Sequence, residues 1–316
     1  MISVNRRAAA IVAQMIGDRE ALGLGVMQLK SGTTVIDAGI EVPGSLEAGK
    51  LFACACMGGL GQVSFTQQNF DSFWLPAVAA SVNYPHIACM ASQYAGWAVK
   101  VGRYFAIGSG PARALYAGEE IYQKLDYQDQ AETAVLMLEG RELPGEEIAE
   151  FVAEKCRVRP EQLTLLIAPT ASLVGSIQVA ARSAETGLHK LVELGFDVRW
   201  VTAASGLCPL APVAEDDIHA IGRTNDAILY GSQVFYTVQA EDDELAVLIE
   251  KVPSASSRDY GTPFYELFQR YSGDFYQIDR LLFSPAQVEI NNVNSGHTFR
   301  AGKLNPSLLR ASLLEG

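Results

Sequence analysis

The stretch that decides the fold begins at residue 131: AETAVLMLEG (131–140), LPGEEIAEFVAEKC (143–156), LTLLIAP (163–169), SLVGSIQVAARSAETGLHKLVELG (172–195) and FDVRWVTAA (196–204). The first, third and fifth are short apolar runs of strand length. The second opens on Pro and acids and closes on Lys, the order that suits a helix dipole. In the fourth, Leu173, Ile177, Ala180, Ala184, Leu188 and Leu191 recur at helical spacing, and Gly195 marks its end. Strand and helix therefore alternate, which predicts a βαβαβ-like unit. DAILYGSQVFYTVQ (226–239) adds a predicted hairpin turning at Gly231-Ser232. Outward from this centre, residues 4–22 read as an amphipathic helix rather than a leader, because Gln14 and Asp18-Arg19-Glu20 interrupt the apolar run. TTVIDAGI (33–40) reads as a strand, and residues 42–59 as a turn followed by a helix or strand. Residues 74–108 carry few charges and are expected to be largely buried. The expected fold is α+β (mixed α/β) in two domains. One holds residues 127–244, and the other joins 1–126 to 245–316.

The chain has 316 residues, about two domains at roughly 150 each. With 24 basic and 36 acidic residues its net charge is −12, which argues against nucleic acid or an anionic membrane as main partner. A local basic pocket for an anion stays compatible with that total. No run approaches the ~18 apolar residues of a membrane span. Five cysteines, an odd number without CxxC spacing, fit reduced thiols in a cytoplasmic protein. Cys54 and Cys56 are expected on one face of a strand, as core. The four histidines, His86, His189, His219 and His297, lack ligand spacing, so no metal site is expected.

Three motifs carry polar chemistry. FAIGSGPARAL (105–115) lets backbone approach a ligand at Gly108, Ser109 and Gly110, with Arg113 placed to assist an anion. The same residues equally describe an ordinary tight strand–helix turn. The motif is neither a P-loop nor a dinucleotide fingerprint. CMGGLG (56–61) reads as a loop, and no GxSxG elbow occurs. In the predicted helix 172–194, Arg182, Glu185 and His189 stand three and four residues apart, so their side chains can meet. Glu185 holding a water, with Arg182 controlling its charge and orientation, would suit acid–base chemistry. A solvated helix face with an ion pair gives the same spacing. GRTNDAILYG (222–231) offers Arg223, Asn225 and Asp226 either to a heterocycle or to a capped turn.

Taken in order, SQYAGWAV (92–99), AIGSGPARAL (106–115), APTASLVGSIQVAARSAETGLHKL (168–191), GRTNDAILYG (222–231) and DYGTPF (259–264) resemble methenyltetrahydromethanopterin cyclohydrolase. VIDAGIEVPGSLEAG (35–49), CMGGLG (56–61) and FSPAQVEINNV (283–293) extend the resemblance over nearly the whole chain. It implies reversible hydrolysis of N5,N10-methenyltetrahydromethanopterin to the N5-formyl derivative. It further implies a cytoplasmic homotrimer that uses neither metal nor redox cofactor and binds the pterin in a cleft between two domains. The family's catalytic Arg-x-x-Glu pair maps onto Arg182 and Glu185. The Gly108–Gly110 turn and Arg113 are then expected to hold a carboxylate, a phosphate or the pterin carbonyl. Two other readings stand beside it: a pterin-dependent dehydrogenase or one-carbon transferase, and a catalytically silent pterin-binding protein.

Overall fold

The strands of the chain form two six-stranded sheets. The computed structural model describes residues 2–273 and 277–315. In chain order the strands are β1 (Gly25–Gln28), β2 (Thr34–Asp37), β3 (Gly61–Phe70), β4 (Phe73–Asn83), β5 (Trp97–Val101) and β6 (Tyr104–Ser109). They continue with β7 (Ala134–Glu139), β8 (Leu163–Ala168), β9 (Val201–Pro209), β10 (Gln233–Val238), β11 (Gln287–Asn292) and β12 (Thr298–Gly302). The chain divides into two compact units, Met1–Gln62 with Ile87–Gln178, and Val63–His86 with Val179–Gly316. This division runs differently from the 127–244 segment expected above: the helix that begins at Leu173 starts in one unit and ends in the other.

The first unit holds a sheet of order β1-β2-β8-β7-β6-β5. Its centre, β2-β8-β7, is parallel, and β1, β6 and β5 join antiparallel. The helix Glu146–Cys156 links β7 to β8 as the sequence predicts. Alternate residues of β7 serve opposite cores: Val135 and Met137 pack with Ile36, Phe52 and Val12, while Ala134, Leu136 and Leu138 pack with Ile148 and Val152. Both faces are therefore covered, which explains the unbroken apolar run. Cys54 and Cys56 lie on a helix, Leu46–Cys56, and not on a strand. Ser45 caps that helix by accepting from Ala48 N, and the Cys-Ala-Cys alternation only mimics a strand period. All five cysteines are buried.

In the second unit the sheet order is β12-β11-β10-β9-β4-β3. The β10–β11 pair is parallel; β11–β12, β9–β10 and β4–β9 are antiparallel. Since β9 belongs here, the expected βαβαβ reduces to the one β7–helix–β8 unit. The expected hairpin is also replaced. Residues 226–231 end the helix Asp217–Gly231, which Asp216 caps through His219 N, and β10 follows directly. A continuous apolar run such as Ala227–Tyr230 does not by itself distinguish strand from helix. Across the sheet Val82, Ala204, Tyr236 and Ile290 form one buried row. The next row, Ser81, Ser205, Phe235 and Glu289, lines a groove of about 500 Å³. Among the described residues no helix is long and apolar enough to cross a membrane.

Candidate active site

The helix expected over 172–194 is two helices, Leu173–Ala180 and Ser183–Glu193. Arg182 stands at the break with φ −90° and ψ 2°, the sparsely allowed bridge region in which many active-site residues sit. Its N–H donates to Val179 O at 2.9 Å, a three-residue turn that ends the first helix. Its carbonyl accepts from both Thr186 N (2.8 Å) and Thr186 Oγ1 (2.7 Å), which starts the second. Arg182 thus becomes the N-cap residue, and Glu185 the third residue of the helix. A carboxylate in a first helical turn lies at the positive end of the dipole, a favourable place for negative charge.

Arg182 Nη1 stands 3.7 Å from Glu185 Oε2, and the two side chains are 10% and 7% exposed. The solvated helix face is therefore not what the molecule has. Burying both charges costs several kcal/mol per ion, and a loose pair at 3.7 Å returns little of it. A buried, oriented carboxylate beside a fixed cation can take a proton from water and stabilise positive charge on a bound molecule. His189 lies four residues beyond Glu185 on the same helix. Its Nε2 faces Glu193 Oε1 at 3.6 Å, and burial holds its pKa below the usual imidazole value against the opposing pull of Glu193.

The glycine turn departs from its expected anion role. Gly110 adopts φ 96°, and its N–H donates to Ser92 O at 2.8 Å. Ser109 Oγ lies 3.4 Å from Cys56 Sγ, inside the core. A Cβ on Gly108 would stand 3.0 Å from Trp97 O, which leaves little room for a side chain there. Arg113 is fully buried. Its guanidinium donates to Glu119 Oε1 (2.8 Å) and Oε2 (2.5 Å), and to the carbonyls of Met90 (3.2 Å) and Ser92 (3.0 Å). Those carbonyls end a π-helix, His86–Gln93. Arg113 therefore closes that helix rather than facing a ligand. The helix after the turn, Ala112–Tyr116, has only five residues and makes a poor anion site.

Arg223, Asn225 and Asp226 lie within the helix Asp217–Gly231, not in a turn. Asn225 Nδ2 donates to Ile221 O at 2.8 Å, and Arg223 is half-buried. Asp226 accepts from Phe264 N (2.9 Å) and Ser312 Oγ (2.6 Å), joining its helix to Phe264–Arg270 and Pro306–Leu314. Burial raises its pKa to about 7, against the lowering effect of those two bonds. Between pH 3.8 and about 7 the folded state then keeps a proton that the unfolded state has released. Stability must fall as pH rises through that window and level off above it. Asp226→Asn is expected to remove this fall and to stabilise the protein at pH 8 by on the order of 1–3 kcal/mol. Parallel urea titrations at pH 5 and pH 8 check it; identical slopes in both proteins would refute it.

Two features escaped sequence reading. Lys190 is buried, and its Nζ donates to Ser256 Oγ at 3.1 Å and to Leu281 O. Burial lowers its pKa to about 8, with Asp279 opposing. A lysine beside a helical apolar stripe (Leu188, Leu191) was the available signal. Glu215, Asp216 and His219 have ligand atoms within 4.8 Å of one another, a grouping not anticipated from the scattered histidines. Asp216 and His219 are already bonded to each other at 2.8 Å, and the His219 ring stacks on Tyr265 at 4.5 Å.

The fold is α+β, and it buries an arginine–glutamate pair at the head of a helix. Residues 3–313 match the model of the family described as Cyclohydrolase (MCH), and the chain belongs to that family. It is 47% identical to the methenyltetrahydromethanopterin cyclohydrolase of Methanocaldococcus jannaschii, over 99% of this chain and 98% of that one. The enzyme of the same name from Methanothermobacter marburgensis is 45% identical over 99% of both chains. That from Methanosarcina barkeri is 41% identical over 99% of this chain and 98% of its own.

Proposed function

We propose that the protein hydrolyses N5,N10-methenyltetrahydromethanopterin reversibly to the N5-formyl derivative, with Arg182 and Glu185 as the catalytic residues. The observation that carries this reading is the buried Arg182–Glu185 pair at a helix start, in a chain of the cyclohydrolase family. The substrate's methenyl carbon bridges two nitrogens in an amidinium-like cation. Water oxygen adds to that carbon, and Glu185 accepts the released proton, giving a neutral carbinolamine. The C–N10 bond then breaks: N10 takes a proton, the hydroxyl loses one, and formyl is left on N5. One proton is released overall. Glu185 also lends negative charge to the bound cation, and Arg182 fixes where that charge stands. Half-buried Arg223 is the group we assign to a polar edge of the substrate.

The reaction as written needs neither metal nor nicotinamide, and we propose that none is used. Purified protein mixed with methenyl substrate is expected to bleach its absorbance without added nicotinamide and in the presence of a chelator. A requirement for nicotinamide would favour the dehydrogenase reading, and absence of turnover the silent binder. Activity lost to a chelator and restored by metal would overturn the metal-free mechanism. From the family resemblance we also propose a cytoplasmic homotrimer acting in one-carbon metabolism, in methane formation or formaldehyde oxidation. Sedimentation at the 34.1 kDa of a single chain would count against the trimer.

A further inference from the structure

The helix that carries Glu185 approaches β9 and β10 more closely than side chains normally allow. A Cβ on Gly206 of β9 would stand 2.3 Å from Ser183 Oγ and 3.2 Å from Ala184 N. A Cβ on Gly187 of the helix would stand 2.1 Å from the Tyr236 hydroxyl. Gly206 thus lets the first turn close on β9, and Gly187 leaves room for the Tyr236 hydroxyl of β10. Tyr236 is fully buried, and its hydroxyl donates to Ala184 O at 2.7 Å. The Ala184 carbonyl belongs to the rigid peptide plane that ends at Glu185 Cα. Anchoring that plane to the sheet fixes the point from which the Glu185 side chain departs.

We propose that Tyr236 is a positioning residue for the reaction. On the reading that Glu185 is the catalytic carboxylate, the Tyr236 hydroxyl sets where that carboxylate stands by holding the Ala184 peptide group against β10. Misplacing a catalytic group by a fraction of an ångström lowers the rate without weakening substrate binding elsewhere. The tyrosine ring packs in the buried row with Ala204 and Ile290, so Tyr236→Phe keeps the packing and removes only the hydroxyl.

The test compares wild type, Tyr236→Phe, Glu185→Gln and the double variant, with folding followed by thermal melts. Tyr236→Phe is expected to lower kcat about tenfold, the rate equivalent of one hydrogen bond, with KM within about twofold of wild type. In the Glu185→Gln background the same change is expected to leave kcat unaltered, because there is no carboxylate left to position. A purely structural tyrosine would lower the melting temperature and leave kcat of the folded protein at the wild-type value. That outcome, with a slow Glu185→Gln, overturns this proposal alone. A loss carried in KM, or an equal kcat loss in both backgrounds, overturns it as well. A wild-type kcat in Glu185→Gln overturns the catalytic reading, and this proposal with it.

Discussion

Glu185→Gln is expected to fold as the wild type does and still to bind substrate while its kcat falls by ~10²–10⁴. Glutamine has the same size and still forms hydrogen bonds. It cannot accept the proton of the attacking water, nor place a full negative charge beside a bound cation. The loss of proton transfer accounts for the range given. Burial raises the expected effect, since bulk water is not at hand to replace the carboxylate as base at 7% side-chain exposure. Arg182→Ala is expected to impair turnover with a less clean signature. It leaves Glu185 buried without its cation, and it alters the residue that forms the helix N-cap. The two substitutions act on one unit, so their effects are expected not to add. The measurement is kcat of folded, substrate-binding Glu185→Gln. A value within a few-fold of wild type would refute the mechanism and leave the family membership standing.

The reach of the sequence can be judged residue by residue. The β7–helix–β8 unit was legible because its apolar runs and its charged helix ends agree with each other at every level. Arg182 and Glu185 were legible as a pair because a separation of three holds across the helix break. The break itself was not, since neither Gly nor Pro stands at Ala181-Arg182 and nothing in the local pattern opposes a continuous helix. Gly187 lies inside the expected helix 172–194, and Gly206 two residues past the expected strand 196–204. Their reason is a close approach, to Tyr236 in one case and Ser183 in the other, and such neighbours are invisible until the chain is folded. The missed helix Asp217–Gly231 shows the same limit from another side. Its buried end is apolar on consecutive residues, so periodicity carried no information there.

Arg113 gives the second large expected effect, and it separates a structural arginine from a ligand-binding one. Arg113→Met is expected to destabilise the protein by about 3–5 kcal/mol, because removing one partner of a buried pair strands the other. Here the stranded groups are the Glu119 carboxylate and the carbonyls of Met90 and Ser92 at the end of the π-helix. A loss of that size is a large part of a typical stability of about 5–15 kcal/mol. Arg113→Lys keeps the charge but not the planar fork. One ammonium on a flexible stem does not reproduce the bidentate grip on Glu119 while serving both carbonyls, so an intermediate loss is expected. The flanking rings of Tyr94 and Tyr122, 5.2 and 5.6 Å from the guanidinium carbon, favour the arginine further. An arginine that gripped substrate would behave differently: its removal would raise KM and leave the urea midpoint near the wild-type value. Urea denaturation and KM measured on the same preparation of Arg113→Met decide between them. Stability within ~0.5 kcal/mol of wild type together with a raised KM would return Arg113 to the anion-binding role that the glycine turn first suggested.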